Sequence, residues 1–300
     1  MKEKIKGPLF VLVSGTCWGF SGTCGQYLFN YKNVNAEWLS SYRMLFAGIL
    51  MVILAIFTQR ENIKGILHNK LDRIALLIFG IAGLMTCQYT YFAAIARSNA
   101  ATGTVLQYLG PALILIYMCL RYLRLPKPRE ILAIIFAISG TFLIATHGDI
   151  NNLAISPSGL FFGLLSAFTL AVYTVLPGRL IERWGSLTVT GLGMLIAGIV
   201  FTIVIRPWNM EQNIDFTTVF LVAVIVIIGT AMPFTLYLKG VSIIGASKGS
   251  MLACIEPVSA TVFSALWLKN KFTVFDLAGF ALIITTVLLL SLKNTNKSTE

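Results

Sequence analysis

An all-α membrane protein, with ten transmembrane helices arranged as two inverted five-helix repeats, is the fold class this sequence predicts. Three observations predict it. The 300-residue chain is 57% apolar and only 12% charged, with a mean hydropathy of +0.82; soluble domains usually carry roughly 25% charged residues. The apolar residues gather into ten runs, each close to the roughly 20 residues that cross a bilayer. Residues also recur between the two halves at fixed offsets.

The candidate spans are 8–29, 38–57, 72–93, 100–122, 129–146, 158–176, 187–205, 217–238, 246–268 and 273–292. The first resembles a signal peptide at its start, with basic residues before Pro8. Its apolar run continues to Phe29, so it is read as an uncleaved span. The runs are too long, too continuous and too rich in Leu, Ile and Ala for the alternating pattern of a lipid-facing barrel. Helix punctuation agrees. Pro128 suits a first-turn position with Glu130 behind it, and Thr273 to Asp276 reads as a capping box. The joining loops are short and leave no room for an extramembrane domain.

Orientation follows from Lys and Arg. With the N-terminus inside, 16 basic residues fall in inner segments and 5 in outer ones, while Arg43 and Lys248 lie within spans. That bias predicts a multi-pass protein of the cell membrane with both termini in the cytoplasm. It is strong in the first half and weaker in the second.

At an offset of 146, Gly83 meets Gly229, Tyr91 meets Tyr237, Gly103 meets Gly249 and Pro111 meets Pro257. At an offset of 150, Ala47-Gly48-Ile49 meets Ala197-Gly198-Ile199. Five spans per half mean that the second copy enters the membrane from the opposite side. Such inverted repeats recur in secondary transporters. The expected division is 1–148 for the first repeat, 153–293 for the second and 294–300 for a cytoplasmic tail.

Several function classes are excluded. The net charge of +11 sits in loops between apolar runs and is not interleaved with exposed aromatics, so nucleic-acid binding is not expected. The five cysteines (Cys17, Cys24, Cys87, Cys119 and Cys254) lie in apolar spans without metal spacing and read as packing thiols. HExxH, GxSxG and nucleotide-binding glycine motifs are absent, and neither His68 nor His147 has a partner at metal spacing. No enzyme, cofactor, metal or primary pump is expected. The expected partners are a small-molecule solute and membrane lipid, with the chain a monomer or homodimer.

The stretch Ala246 to Leu268 carries the chemistry. Glu256 is the only one of the twelve acids deep inside a span, and Pro257 follows it. A charge and a helix breaker at that depth are tolerated only against protein or a water-filled cavity. Glu256 therefore reads as a proton or cation site, or as a structural carboxyl joining two helices. It faces Gly110 in the other repeat, while Arg43 faces Gly193, Gln107 faces Ala253 and Lys248 faces Thr102, so each of these groups is private to one copy. A group the shared fold does not demand is weighted toward function. Arg43 suits a substrate carboxylate through its planar fork, or caps loop carbonyls, or snorkels. Lys248 lies two turns before Glu256 and near a helix end, where it either faces the same path or snorkels.

Pro111, Pro233 and Pro257 each free a carbonyl four residues back, those of Gln107, Gly229 and Ala253. Gly15-xxx-Gly19 gives span one a close-packing face. Trp18, Gln88, Tyr91, Tyr108, Tyr173 and Tyr237 offer rings and donors to a cavity, or fill cores and anchor interfaces.

Together these residues resemble the EamA branch of the drug/metabolite transporter superfamily. The likeness rests on Ser14-Gly15-Thr16-Cys17-Trp18-Gly19, on Arg43, and on the related runs Tyr91 to Pro111 and Tyr237 to Pro257. It covers nearly the whole chain. It implies export of amino acids, related metabolites or toxic organic molecules, often with proton coupling. It also implies a central cavity lined partly by the spans of Trp18, Gln88, Gln107 and Glu256. The Glu-Pro pair resembles the amino-acid exporter subset. Where the family often ends spans four and nine with Gly-Glu, this chain has Leu123-Arg124 and Lys269-Asn270, so no end carboxylate carries over.

Overall fold

The computed structural model describes residues 2–149, 153–212, 214–245, 249 and 252–291. Every regular element among them is a helix. We number the helices α1 (Lys2–Lys32), α2 (Ala36–Thr58) and α3 (Arg60–His68). Next come α4 (Lys70–Arg97), α5 (Ala100–Gln107), α6 (Gly110–Arg121) and α7 (Pro128–Thr146). The second half holds α8 (Pro157–Val175), α9 (Gly178–Trp184), α10 (Ser186–Ile205), α11 (Phe216–Ile244), α12 (Ile255–Leu266) and α13 (Val274–Ser291).

Among the described residues, seven helices are long and apolar enough to cross a membrane: α2, α4, the α5–α6 pair, α7, α8, α10 with its 3₁₀ extension, and α11. The other three expected spans carry α1, α12 and α13, which fall outside that set. The Gly, Ser and Thr residues that make α1 a packing helix also dilute its apolarity. In span nine, α12 covers Ile255–Leu266 and is too short to be counted, with a turn at Cys254 just before Glu256-Pro257. Lys248 lies outside the described residues. The loops also hold two short helices, α3 and α9, that the apolar pattern does not announce.

The caps follow the sequence. The Lys127 amide donates to Glu130 Oε2 at 2.8 Å, ahead of Pro128. The Thr273 amide donates to Asp276 Oδ2 at 2.8 Å, while the Asp276 amide donates to Thr273 Oγ1 at 3.2 Å. Each satisfies donors that a helix start leaves open. Many large apolar side chains on the outer faces, such as Phe57, Leu120, Ile138, Phe168 and Val204, remain exposed. In water such a surface would drive association; hydrocarbon is its natural solvent.

The most extensive helix pairings have counterparts when the two halves are exchanged. α2 packs on α10, and α7 on α13; α1 packs on α11 and α12, as α8 packs on α4 and the α5–α6 pair. Glycines set the closest approaches. A Cβ on Gly48 would meet Leu195 Cα at 2.5 Å, and one on Gly198 would meet Leu45 N at 2.4 Å. These are the glycines that the sequence aligned at an offset of 150. The buried clusters lie between α1, α2, α4 and α11, between α2, α4 and α10, and between α5, α6, α7, α8 and α13.

Two features of α4 and α11 were not legible in the sequence. Each contains a π-helical segment, Phe79–Met85 and Ile227–Ala231. The two segments include Gly83 and Gly229, aligned by the 146 offset. A π-bulge adds a residue to a turn and frees backbone groups, often beside a site.

Candidate functional site

The site is built where helices are interrupted. Span four breaks at Tyr108-Leu109, between α5 and α6, and span nine breaks at Cys254, ahead of α12. Pro111 and Pro257 stand just past the two breaks and deny them the amide that would continue a helix. Tyr108 thus leaves one break pointing at the other. Its hydroxyl lies 2.8 Å from the Ala253 carbonyl and 3.0 Å from Glu256 Oε2. Ala253 is the carbonyl expected to be freed by Pro257.

A phenol has one proton and here meets two acceptors. With Glu256 protonated, its O–H donates to Tyr108, whose own proton goes to Ala253, and all three groups are satisfied. With Glu256 ionised, the carboxylate and the carbonyl compete for a single proton. Among the described residues no cation forms an ion pair with Glu256.

Glu256 lines a cavity of about 350 Å³ between the halves. Trp18, Arg43, Gln88, Tyr91, Gln107, Tyr108, Tyr173 and Tyr237 line it as well, so every site residue expected from the sequence converges on one space. Their states differ. Tyr91 is buried and its hydroxyl bonds Thr104 Oγ1 at 2.9 Å. Gln107 Nε2 reaches Cys87 Sγ at 3.8 Å. Trp18 is wedged between Phe234 and Tyr237, with ring centroids 5.2 and 5.3 Å away. Arg43 neither snorkels nor caps a loop; it is 4% exposed and borders the cavity.

Span one holds the Glu256 helix closely. A Cβ on Gly15 would meet Ile255 Cγ2 at 2.5 Å, and one on Gly19 would meet the Glu256 carbonyl at 2.6 Å. The small-residue face of α1 is therefore an internal contact against the helix that carries the acid.

The cavity runs from Glu256 toward the α8–α9 turn at Pro177 and Ile181. Toward the C-terminal end of α1, polar bonds join residues that the apolar pattern does not single out. Gln26 and Asn270 exchange amide hydrogen bonds of 3.2 and 3.1 Å, and Gln26 also accepts from the Ala100 amide at 2.9 Å. Lys32 pairs with Asp215 beyond them. Lys32 and the Thr218 amide hold the Asp215 carboxyl well below the usual carboxylate range. On the cavity side, Asp72 joins the halves by accepting from Arg183 and Trp184 at 3.0 and 2.9 Å.

This two-part construction has a counterpart in known sequences. A family model described as the EamA-like transporter family matches residues 5–146 and again 157–292. The chain belongs to the EamA-like transporter family. It is 38% identical over 297 residues to the uncharacterized inner membrane transporter YicL of Salmonella typhimurium, covering 98% of this chain and 97% of that one. It is 26% identical to the uncharacterized transporter YyaM of Bacillus subtilis, over 90% of this chain and 88% of the relative. A solved crystal structure shares the fold at a TM-score of 0.64 and 15% identity, covering 94% of this chain and 95% of the other. The protein is a multi-pass membrane transporter and not an enzyme.

Proposed function

We propose that the protein is a secondary active exporter of a small organic solute, such as an amino acid or related metabolite, coupled to protons through Glu256. In this reading ten membrane crossings form two inverted repeats, 1–148 and 153–293, in the cell membrane with both termini cytoplasmic. The matching of the most extensive helix pairings and the paired π-segments support the repeat. The Lys and Arg bias supports the orientation. Alternating access is then a rocking of one repeat against the other around a fixed cavity.

The observation that carries the proposal is the Glu256–Tyr108–Ala253 contact at the cavity wall. An acid that met lipid, or was sealed between dry helices, would have no route for a proton. Here the acid borders a space, and the Tyr108 hydroxyl bonded to it can donate to the carboxylate or accept from the protonated acid. Trp18, Gln88, Tyr91, Gln107, Tyr108 and Tyr237 contribute rings and polar groups to the solute. A cavity of about 350 Å³ lies within the range of roughly 300–1,000 Å³ of small-molecule sites.

The test is efflux from proteoliposomes loaded with labelled amino acids and amines under an imposed pH gradient. Gradient-dependent efflux of at least one solute, lost in Glu256→Gln, is the expected result. Efflux that ignores the gradient, or survives intact in the variant, removes proton coupling from the account.

A further inference from the structure

We propose that Arg43 is the docking point for a carboxylate on the transported solute. This rests on the cavity being the transport site, and adds the chemical class of the solute. Arg43 lies on α2, 4% exposed, and borders the cavity. Its orientation is fixed from two directions. Nε donates to Thr230 Oγ1 at 2.8 Å, and the guanidinium lies over the Phe92 ring, 4.4 Å from its centroid.

Thr230 is itself committed. It sits in the π-segment of α11, and its hydroxyl donates to the Ile225 carbonyl at 2.8 Å. Its lone pair is thereby left to receive the Arg43 N–H. The buried Nη1 of the fork is not provided for. Nη1 has no hydrogen-bond partner, and no acid among the described residues pairs with Arg43. Among the residues lining the cavity, Glu256 is the only other one with a charged side chain, and it carries the proton chemistry.

A buried guanidinium with an open nitrogen is costly, and an arriving anion removes that cost. The planar, pre-oriented fork matches the two oxygens of a carboxylate better than a spherical ion. Aromatic side chains around the remaining space (Trp18, Tyr173, Phe234 and Tyr237) suit an apolar or ring-bearing body.

Four probes sharing one ring separate the charges: phenylalanine, 3-phenylpropionate, phenylalaninamide and phenethylamine. Each is titrated into the purified full-length protein while its Tm is followed, and each is tested for flux in proteoliposomes. The two carboxylates should bind roughly ten- to a hundredfold more tightly than the two compounds lacking one. Arg43→Gln should erase that preference, and Arg43→Lys should restore it only in part. Comparison of the probes on the unaltered protein stands even if a variant does not fold. Equal binding and flux of all four overturns the Arg43 assignment while leaving the transporter reading intact. Equal stabilisation by sodium chloride marks a halide site and also overturns it. No binding and no flux for any probe overturns both the assignment and the reading of the cavity.

Discussion

Replacing Tyr108 with Phe removes one oxygen and leaves the ring in place. The hydroxyl is the partner of the Ala253 carbonyl, already deprived of a helix amide by Pro257, and a contact of Glu256 at 3.0 Å. An unsatisfied buried carbonyl costs about 1–3 kcal/mol. For a chain of this size each kcal/mol moves Tm by about 2–4 °C. The purified variant should therefore melt about 2–12 °C lower. The Glu256→Gln background gives a second reading. A Gln side chain supplies an N–H where the protonated acid supplies an O–H, so Glu256→Gln alone should keep Tm close to the parent value. Adding Tyr108→Phe to it should again cost about 1–3 kcal/mol. An unchanged Tm for Tyr108→Phe in both backgrounds would mean that Ala253 has another donor, and the bridge between the two helix breaks would have to be abandoned.

Other perturbations read other parts of the account. Gly19→Ala places a Cβ 2.6 Å from the Glu256 carbonyl and 2.7 Å from the Ala260 amide, where ordinary contact begins near 3.4 Å. The backbones must part by most of an ångström, at about 1–3 kcal/mol for overpacking; melting and flux should both fall, and a neutral outcome would show that α1 yields freely. Thr230→Val keeps the shape of the side chain but removes the acceptor for Arg43 Nε, so solute affinity should weaken about tenfold, the worth of one charge-assisted bond. Unaltered affinity would show that Thr230 does not position the guanidinium. Asp215→Asn tests whether the far-side ion pair senses pH. Its native carboxyl is held well below the usual range, so the stability it contributes is complete above the ordinary carboxylate value of about 3.9. That contribution is lost only as pH falls through the depressed native value. The variant should therefore transport with the same pH dependence as the parent at pH 5–8; a flattened profile would make Asp215 a sensor.

What the sequence disclosed was what burial in hydrocarbon makes expensive. An acid followed by proline inside an apolar run has few physical solutions, so Glu256 and the freed Ala253 carbonyl were readable, and both meet Tyr108. The offset matches were readable because a repeated packing problem retains its small residues; Gly48 then packs on Leu195 and Gly198 on Leu45 across the α2–α10 contact. Other features depend on neighbours. The π-segments of α4 and α11 leave no mark in local propensity, and Thr230 acquires meaning only when α11 delivers it to Arg43. Gln26 was visible as a polar residue in an apolar span, yet its partners lie 74 and 244 residues away at Ala100 and Asn270. Length and apolarity single out fewer spans where composition serves packing, as in α1, or where the helix is interrupted, as in span nine. Arg43 was ambiguous for a similar reason: snorkelling and burial share one sequence pattern, and only the Phe92 ring and the Thr230 hydroxyl decide between them.

The most direct measurement records protons and solute together. Proteoliposomes holding a trapped pH-sensitive dye are given an outward gradient of a transported solute, and internal pH is followed with solute efflux. Solute leaving in step with proton entry, and an Glu256→Gln variant of unchanged Tm that no longer moves protons, are what this account predicts. Solute leaving the parent protein with no change in internal pH, or proton movement that persists in the variant, would contradict it.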